Sequence, residues 1–233
     1  MFRTTVTRDR AERNEIFRSA YDAVMTTPTS GRGRQAARNS RSILAAAREV
    51  FLADARAPIA AVAERAGVGI SALYRRYPSK EDLLRTLCHD GLRLFIEQAE
   101  RAAAEPDDWT AFQTFLHGVV EADVHSLTVH LAGTFTPTEE MNADAIRAGE
   151  LATALFERAR PRMRPSAVPA DVTMLLEMCA AVRLPDAART ASLRRRYLAV
   201  LLDGLRTGTA LPGSPPTLAE VNWRWSMTPE PES

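Results

Sequence analysis

Ser71, Tyr74, Arg75, Arg76 and Lys80 fall within ten residues of one another. Hydroxyls and guanidinium forks at this density suit two tasks, hydrogen bonding to base edges and neutralising phosphate. Arg75 and Arg76 can neutralise phosphate or reach a guanine edge. Tyr74 can bond a phosphate or set its ring edge against a thymine methyl. Lys80, where a helix begins, is placed for a backbone phosphate. Arg32, Arg34 and Arg38 make a basic arm of the kind that enters minor grooves. The plainer reading, a solvated charged face, is weighed against the balance of charge. From Arg32 to Lys80 ten basic residues stand against Glu49, Asp54 and Glu64, whereas from Glu81 onward 15 arginines face 22 acids. Such a split suggests one part that binds nucleic acid and another that avoids it.

Other chemistries find less support. Cys88 and Cys179 match no metal or redox spacing and read as buried, reduced thiols. Cys88 and His89 are adjacent, so on a helix they diverge by about 100° and make no nucleophile–base pair. His125 and His130, five apart, fall on different helix faces and do not read as a metal pair. The sequence contains no G-x-S-x-G, H-E-x-x-H, phosphate loop or Glu-x-x-His pair. The expectation is a non-enzymatic protein without metal or cofactor.

Helices must position the polar residues. Apolar residues make up 45% of the chain and charged residues 25%, as in soluble globular proteins, and alternating β-type runs are missing. Ile43, Leu44, Ala47, Val50 and Phe51 form one face of a helix from about Asn39 to Asp54. A second spans Ile59 to Ala66, with Pro58 at its first turn. Gly67 suits the positive φ of a tight turn. A third helix covers Ile70 to Tyr77 and stops at Pro78, completing a helix-turn-helix pattern. Ser79 opens a fourth helix that runs to about Ala104, long enough to bridge two parts of a protein. Asp9–Thr26 reads as an amphipathic extension joined by a linker over 27–34. A less regular stretch is expected over His125–Pro137. Later helices are expected over Glu139–Arg160, Ala170–Arg183 and Ala188–Thr207, and a short turn over Leu218–Trp225.

The run AERAGVGISALYRRYPSKEDLL, Ala63 to Leu84, resembles the DNA-binding domain of the TetR family of transcriptional regulators. The resemblance rests on Ala66-Gly67-Val68, Leu73-Tyr74, Tyr77 and Lys80, and extends back over Ala45 to Phe51. It implies an all-α protein with an N-terminal three-helix helix-turn-helix domain and a C-terminal helical ligand-binding and dimerisation domain. In that frame Gly69, Ile70, Ser71 and Ala72 join Tyr74, Arg75 and Arg76 at the major groove, and Tyr77 reads as a core aromatic. The chain departs from the family in three places. Ala57-Pro58 replaces a hydroxyl cap, Gly69 replaces a frequent serine, and Ile70 and Ala72 stand where polar residues are common.

The domains follow: an extension and arm (1–37), the DNA-binding domain (38–82), the ligand and dimer domain (83–208) and a tail (209–233). The resemblance implies a homodimer on a palindromic double-stranded operator, released by a small-molecule ligand and acting as a repressor, and the sequence, with no signal segment to read, is expected in the cytoplasm. It also implies pairing through the last two long helices, marked by Leu193, Tyr197, Leu201 and Leu205. Candidate pocket residues are Leu87, Gly91, Phe95, Trp109, Phe112, Leu116, His125, His130, Met141, Met174 and Met178, though apolar residues at helical spacing are more often plain core. A signal segment and an apolar run of membrane length are both missing, so no membrane partner is expected.

Overall fold

The computed structural model describes residues 31–206 and 208–223, the side chains of 31–37, 128, 129 and 218 excepted. The helix expected over Asp9–Thr26 lies outside them. Among the described residues ten α-helices follow one another: α1 (Gly31–Ala53), α2 (Ile59–Ala66), α3 (Ile70–Arg76), α4 (Lys80–Ala103), α5 (Asp108–Glu121), α6 (Val124–Leu131), α7 (Glu139–Ala159), α8 (Pro169–Ala181), α9 (Ala187–Arg206) and α10 (Leu218–Asn222).

The first three helices owe their angles to a few residues. Gly67 ends α2 at φ 67°, its N–H reaching the Glu64 carbonyl, while the Val68 N–H reaches Ala63. That left-handed closure turns the chain sharply and tucks half-buried Val68 against the core. Gly69 then caps α3 in an extended conformation with no side-chain hydrogen bond. Leu73, wholly buried, anchors α3 on Phe51, Val62 and Ala63. Ser79 stops the next turn and starts α4: its Oγ accepts from the Asp82 N–H at 3.0 Å and donates to the Asp82 carboxylate at 2.8 Å.

Two apolar cores result, and α4 runs through both. Its first half puts Leu83, Leu84 and Leu87 among the residues of α1 to α3. Its second half puts Ala99 and Ala102 with Trp109, Phe112, Phe115 and Leu116 of α5, Leu155 and Phe156 of α7, and Leu198, Leu202 and Leu205 of α9. At 24 residues α4 is about 36 Å long, which suits this bridging.

Three expectations change here. The division placed between residues 82 and 83 runs through the N-terminal core, which also takes in Leu127, Leu131, Phe135 and Met141. The stretch expected to be irregular holds α6, whose charge-free sequence hides its period because it is covered on two sides: Val124 lies in the C-terminal core, Leu127 and Leu131 in the N-terminal one. The backbone of the basic arm is helical from Gly31, continuous with α1, as the good helix formers Gln35, Ala36, Ala37 and Arg38 favour. The tail also docks: Leu211 N–H bonds Ser166 Oγ at 2.6 Å, and Arg164 reaches the Thr209 carbonyl at 3.2 Å.

The turn at Gly67 yields a test. A Cβ at Gly67 or at Gly69 meets nothing within 4 Å, so only backbone conformation separates the two. Gly67→Ala should cost roughly 1–2 kcal/mol for a left-handed non-glycine residue. Gly69→Ala, at φ −66°, keeps an allowed backbone and should lose only the N-cap preference of glycine over alanine, about 0.5 kcal/mol. Urea denaturation of both variants checks this; equal losses would mean that the left-handed turn is not what Gly67 supplies.

Candidate nucleic-acid interface

Helix α3 presents one face to solvent. Ile70 (41% exposed) and Tyr74 (47%) lie one turn apart, flanked by exposed Ser71 and Arg75. Ala72 is half-buried, and Leu73 points the other way into the core. A short helix offering an isoleucine, a serine, a tyrosine and an arginine on its open face can enter a groove and read edges by apolar and polar contact together. Gly69, with no side chain, lets the α3 N-terminus approach a partner closely.

The arginines separate by environment. Arg75 is exposed. The Arg76 guanidinium lies 5.9 Å from the centre of the Tyr77 ring. Tyr77 is itself buried, and burial pushes its phenol pKa up, so it is the core aromatic expected. Lys80, the first residue of α4, is half-buried with Nζ 5.5 Å from the centre of the Phe51 ring. Arg38 is exposed on α1; the side chains of Arg32 and Arg34 lie outside the described residues.

Among the described residues the buried pocket candidates divide between the two cores. Leu87 and Met141 belong to the N-terminal core, while Trp109, Phe112 and Leu116 are packed in the C-terminal one. Phe95 meets Phe115 edge to face at 5.1 Å, and a Cβ at Gly91 would touch Leu127 at 3.9 Å. Met174 is half-buried, and Met178 is 51% exposed on the outer side of α8. His130 contacts the Ser126 carbonyl through Nδ1 at 2.9 Å and Arg183 through Nε2 at 3.3 Å. His125 lines a small cavity. Burial raises the Cys88 thiol to about 12 and raises Cys179 as well, so neither is a nucleophile at neutral pH.

Sequence reasoning missed a partly buried ionic bridge that ties this interface to the rest of the chain. Asp123 sits between α5 and α6 at φ 53°, a left-handed conformation that aspartate tolerates better than most residues. Its carboxylate pairs with Arg48 of α1 at 3.0 Å and with Arg194 of α9, and accepts from Ser126 Oγ. Arg48 also donates to the Asp123 carbonyl. Arg194, only 5% exposed, donates to the Ala180 and Val182 carbonyls at 2.9 and 3.0 Å, capping the end of α8. Burial alone would raise the Asp123 pKa, but the charges of Arg48 and Arg194 outweigh it and hold the carboxyl below its usual value. A signal was there to read, since Arg194 falls in register with buried Leu198 and Leu202, where an arginine needs a partner.

Residues 43–87 match the family model described as bacterial regulatory proteins, tetR family. A TetR transcription regulatory protein from Mycobacterium vanbaalenii is 25% identical at a TM-score of 0.50, over 75% of this chain and 98% of that one. A TetR transcriptional regulator from Streptomyces coelicolor is 23% identical at 0.52, over 73% and 99%. The TetR-like regulator LfrR from Mycobacterium smegmatis, solved with proflavine, is 24% identical at 0.51, over 70% and 95%. No curated protein matches.

The bridge predicts an acid response. A carboxylate with a lowered folded-state pKa contributes stability that is complete above its unfolded pKa, near 3.9, and is lost as pH falls through the folded value. Asp123→Asn should therefore lower the melting temperature at pH 7 and flatten its dependence between about pH 5 and pH 2. An identical acid slope in both proteins would mean that the bridge carries no charge.

Proposed function

We propose that this chain, a member of the TetR family of bacterial regulatory proteins, is a homodimeric repressor that binds a palindromic operator and leaves it when a small molecule binds the C-terminal helices. Regulation of transcription through a helix-turn-helix domain is what the family model at residues 43–87 and the shared fold support. One observation carries the finer reading. The open face of α3, with Ile70, Ser71, Tyr74 and Arg75, belongs to a segment holding ten basic and three acidic residues, while the remainder from Glu81 is acidic. A basic reading head on an acidic helical body suits duplex DNA rather than an acidic protein partner.

In this reading Lys80 and Arg76 hold phosphates, and Ser71, Tyr74 and Arg75 reach base edges. Arg32, Arg34 and Arg38 extend α1 toward the backbone rather than forming a loose arm. The sensor role draws on LfrR, whose structure contains proflavine, and on α4, which joins both cores.

The dimer face is the outer side of α8 and α9. On α9, Leu198, Leu202 and Leu205 are buried in the chain's own core, so Leu205 leaves the pairing stripe that the sequence suggested. Tyr197 (47% exposed) and Val200 (60%) project outward with half-buried Leu193, and Gly204 has open space beside it. Met178 of α8 faces out in the same way. Exposed apolar residues in a helical stripe suit a two-fold partner.

Two measurements test these roles. Lys80→Ala should weaken operator and shuffled DNA alike and flatten the salt dependence by roughly 0.9 log units per contact, about 1.8 for a dimer. Arg75→Ala should cost about 1–3 kcal/mol on operator and little on shuffled DNA. If Arg75→Ala weakens both DNAs equally, Arg75 is a phosphate contact. If Lys80→Ala alters sequence preference and leaves the salt slope intact, its role is misassigned. For the dimer, Val200→Arg should give monomers by light scattering with unchanged helical content and lost operator binding. A wild type that is monomeric at micromolar concentration contradicts the pairing.

A further inference from the structure

The open face of α3 carries one large side chain that neither the core nor phosphate binding employs. Ile70, the first residue of the helix, is 41% exposed and lies outside the buried and half-buried side chains of the N-terminal core. Val68, two residues earlier, and Leu73, three later, both pack into that core. A Cβ on Gly69 would meet nothing within 4 Å, so the chain leaves that side of the helix start open. One turn on, Tyr74 is 47% exposed, and with Ile70 it makes an apolar strip on a face that also presents Ser71 and Arg75.

Duplex DNA offers an aliphatic side chain few matches. In the major groove guanine, adenine and cytosine present hydrogen-bonding groups and no methyl, whereas thymine carries a C5-methyl beside its O4. An isoleucine pressed on the first three strips water from donors or acceptors that it cannot satisfy. Against the methyl it buries apolar surface on both partners. We propose that Ile70 is a specificity-determining residue that selects thymine, through its C5-methyl, at one position of each operator half-site. The excess of ten basic over three acidic residues from Arg32 to Lys80 draws a duplex to this face rather than an apolar protein partner. This assignment rests on the operator-binding reading above and deepens it by naming the chemical group that is read.

The test uses the full-length protein and the operator it selects from amplified, unmethylated genomic fragments, so that thymine is the only source of the C5-methyl. Each thymine of the half-site is replaced in turn by uracil, symmetrically in both halves. The change removes the methyl and keeps every hydrogen-bonding group. At one position the wild type should lose about fourfold in affinity per half-site, or about 15-fold for the pair, the worth of one buried carbon group in each. In Ile70→Ala the same change should cost about twofold or less for the pair, with an unaltered melting temperature, because Ile70 has no share in the core. Ile70→Val keeps the branched end and should give an intermediate penalty; it carries the test if Ile70→Ala binds too weakly to titrate. The proposal is overturned if no uracil substitution weakens wild-type binding. It is equally overturned if the full penalty persists in the variants, which would assign the methyl to another side chain such as Tyr74. A protein that selects no common sequence loses the operator reading and this assignment with it. One that selects an operator and gives either overturning result keeps that reading and loses only the role of Ile70.

Discussion

One carboxylate in a left-handed turn, held by two arginines from distant parts of the chain, fixes how the two halves of this molecule sit together. Asp123 takes Arg48 from the first described helix and Arg194 from the ninth, and Arg194 in turn closes the end of α8. Each charge would be costly alone in this setting. Arg194 is buried, while Asp123 and Arg48 are partly exposed, so losing Asp123 leaves the Arg194 charge without its counter-ion. Apolar burial holds each half of the molecule compact, but it is indifferent to direction. The ionic bridge is directional, and it is the feature that can distinguish one placement of the DNA-binding domain from another.

The rest of the architecture makes that placement matter. Helix α4 belongs to both cores, and α6 gives Val124 to one and Leu127 and Leu131 to the other. A series of contacts then binds α4 to α7: His89 to Asp144 at 2.8 Å, Arg93 to Glu140 at 2.7 Å, and Arg147 to Glu100. Movement of α6 must therefore reach the helix-turn-helix unit, whose core includes Leu127 and Leu131, and movement of α4 reaches it through Leu83, Leu84 and Leu87. Exposed pairs in this series add little stability individually. Their effect is on register between the two long helices.

The local features were the legible ones. Ala66-Gly67-Val68, Leu73, and the proline and serine at 78 and 79 act within a few residues, so α2, α3 and α4 could be placed to within a residue or so. Tyr74 and Tyr77 are three apart and would share a helix face; Tyr77 turns into the core because it leaves the helix in an extended conformation at φ −128°. The unreadable features were all long-range. Asp123 is 75 residues from Arg48 and 71 from Arg194, and no periodicity connects such positions. Helix α6 was hidden because burial on two sides erases the polar stripe that marks an amphipathic helix. The pocket candidates share this difficulty. Trp109, Phe112 and Leu116 have the same helical spacing whether they line a cavity or fill one, and all three are buried in the C-terminal core.

The central claim is that α3 reads a sequence twice, once per subunit of a two-fold dimer. Selection of fragments from genomic DNA by the purified protein at physiological salt, followed by sequencing, tests it most directly. The account predicts a shared inverted repeat with half-site centres about one helical turn, roughly 34–36 Å, or a multiple of it apart. Recovered fragments with no common motif, or with a single unrepeated half-site, would contradict it.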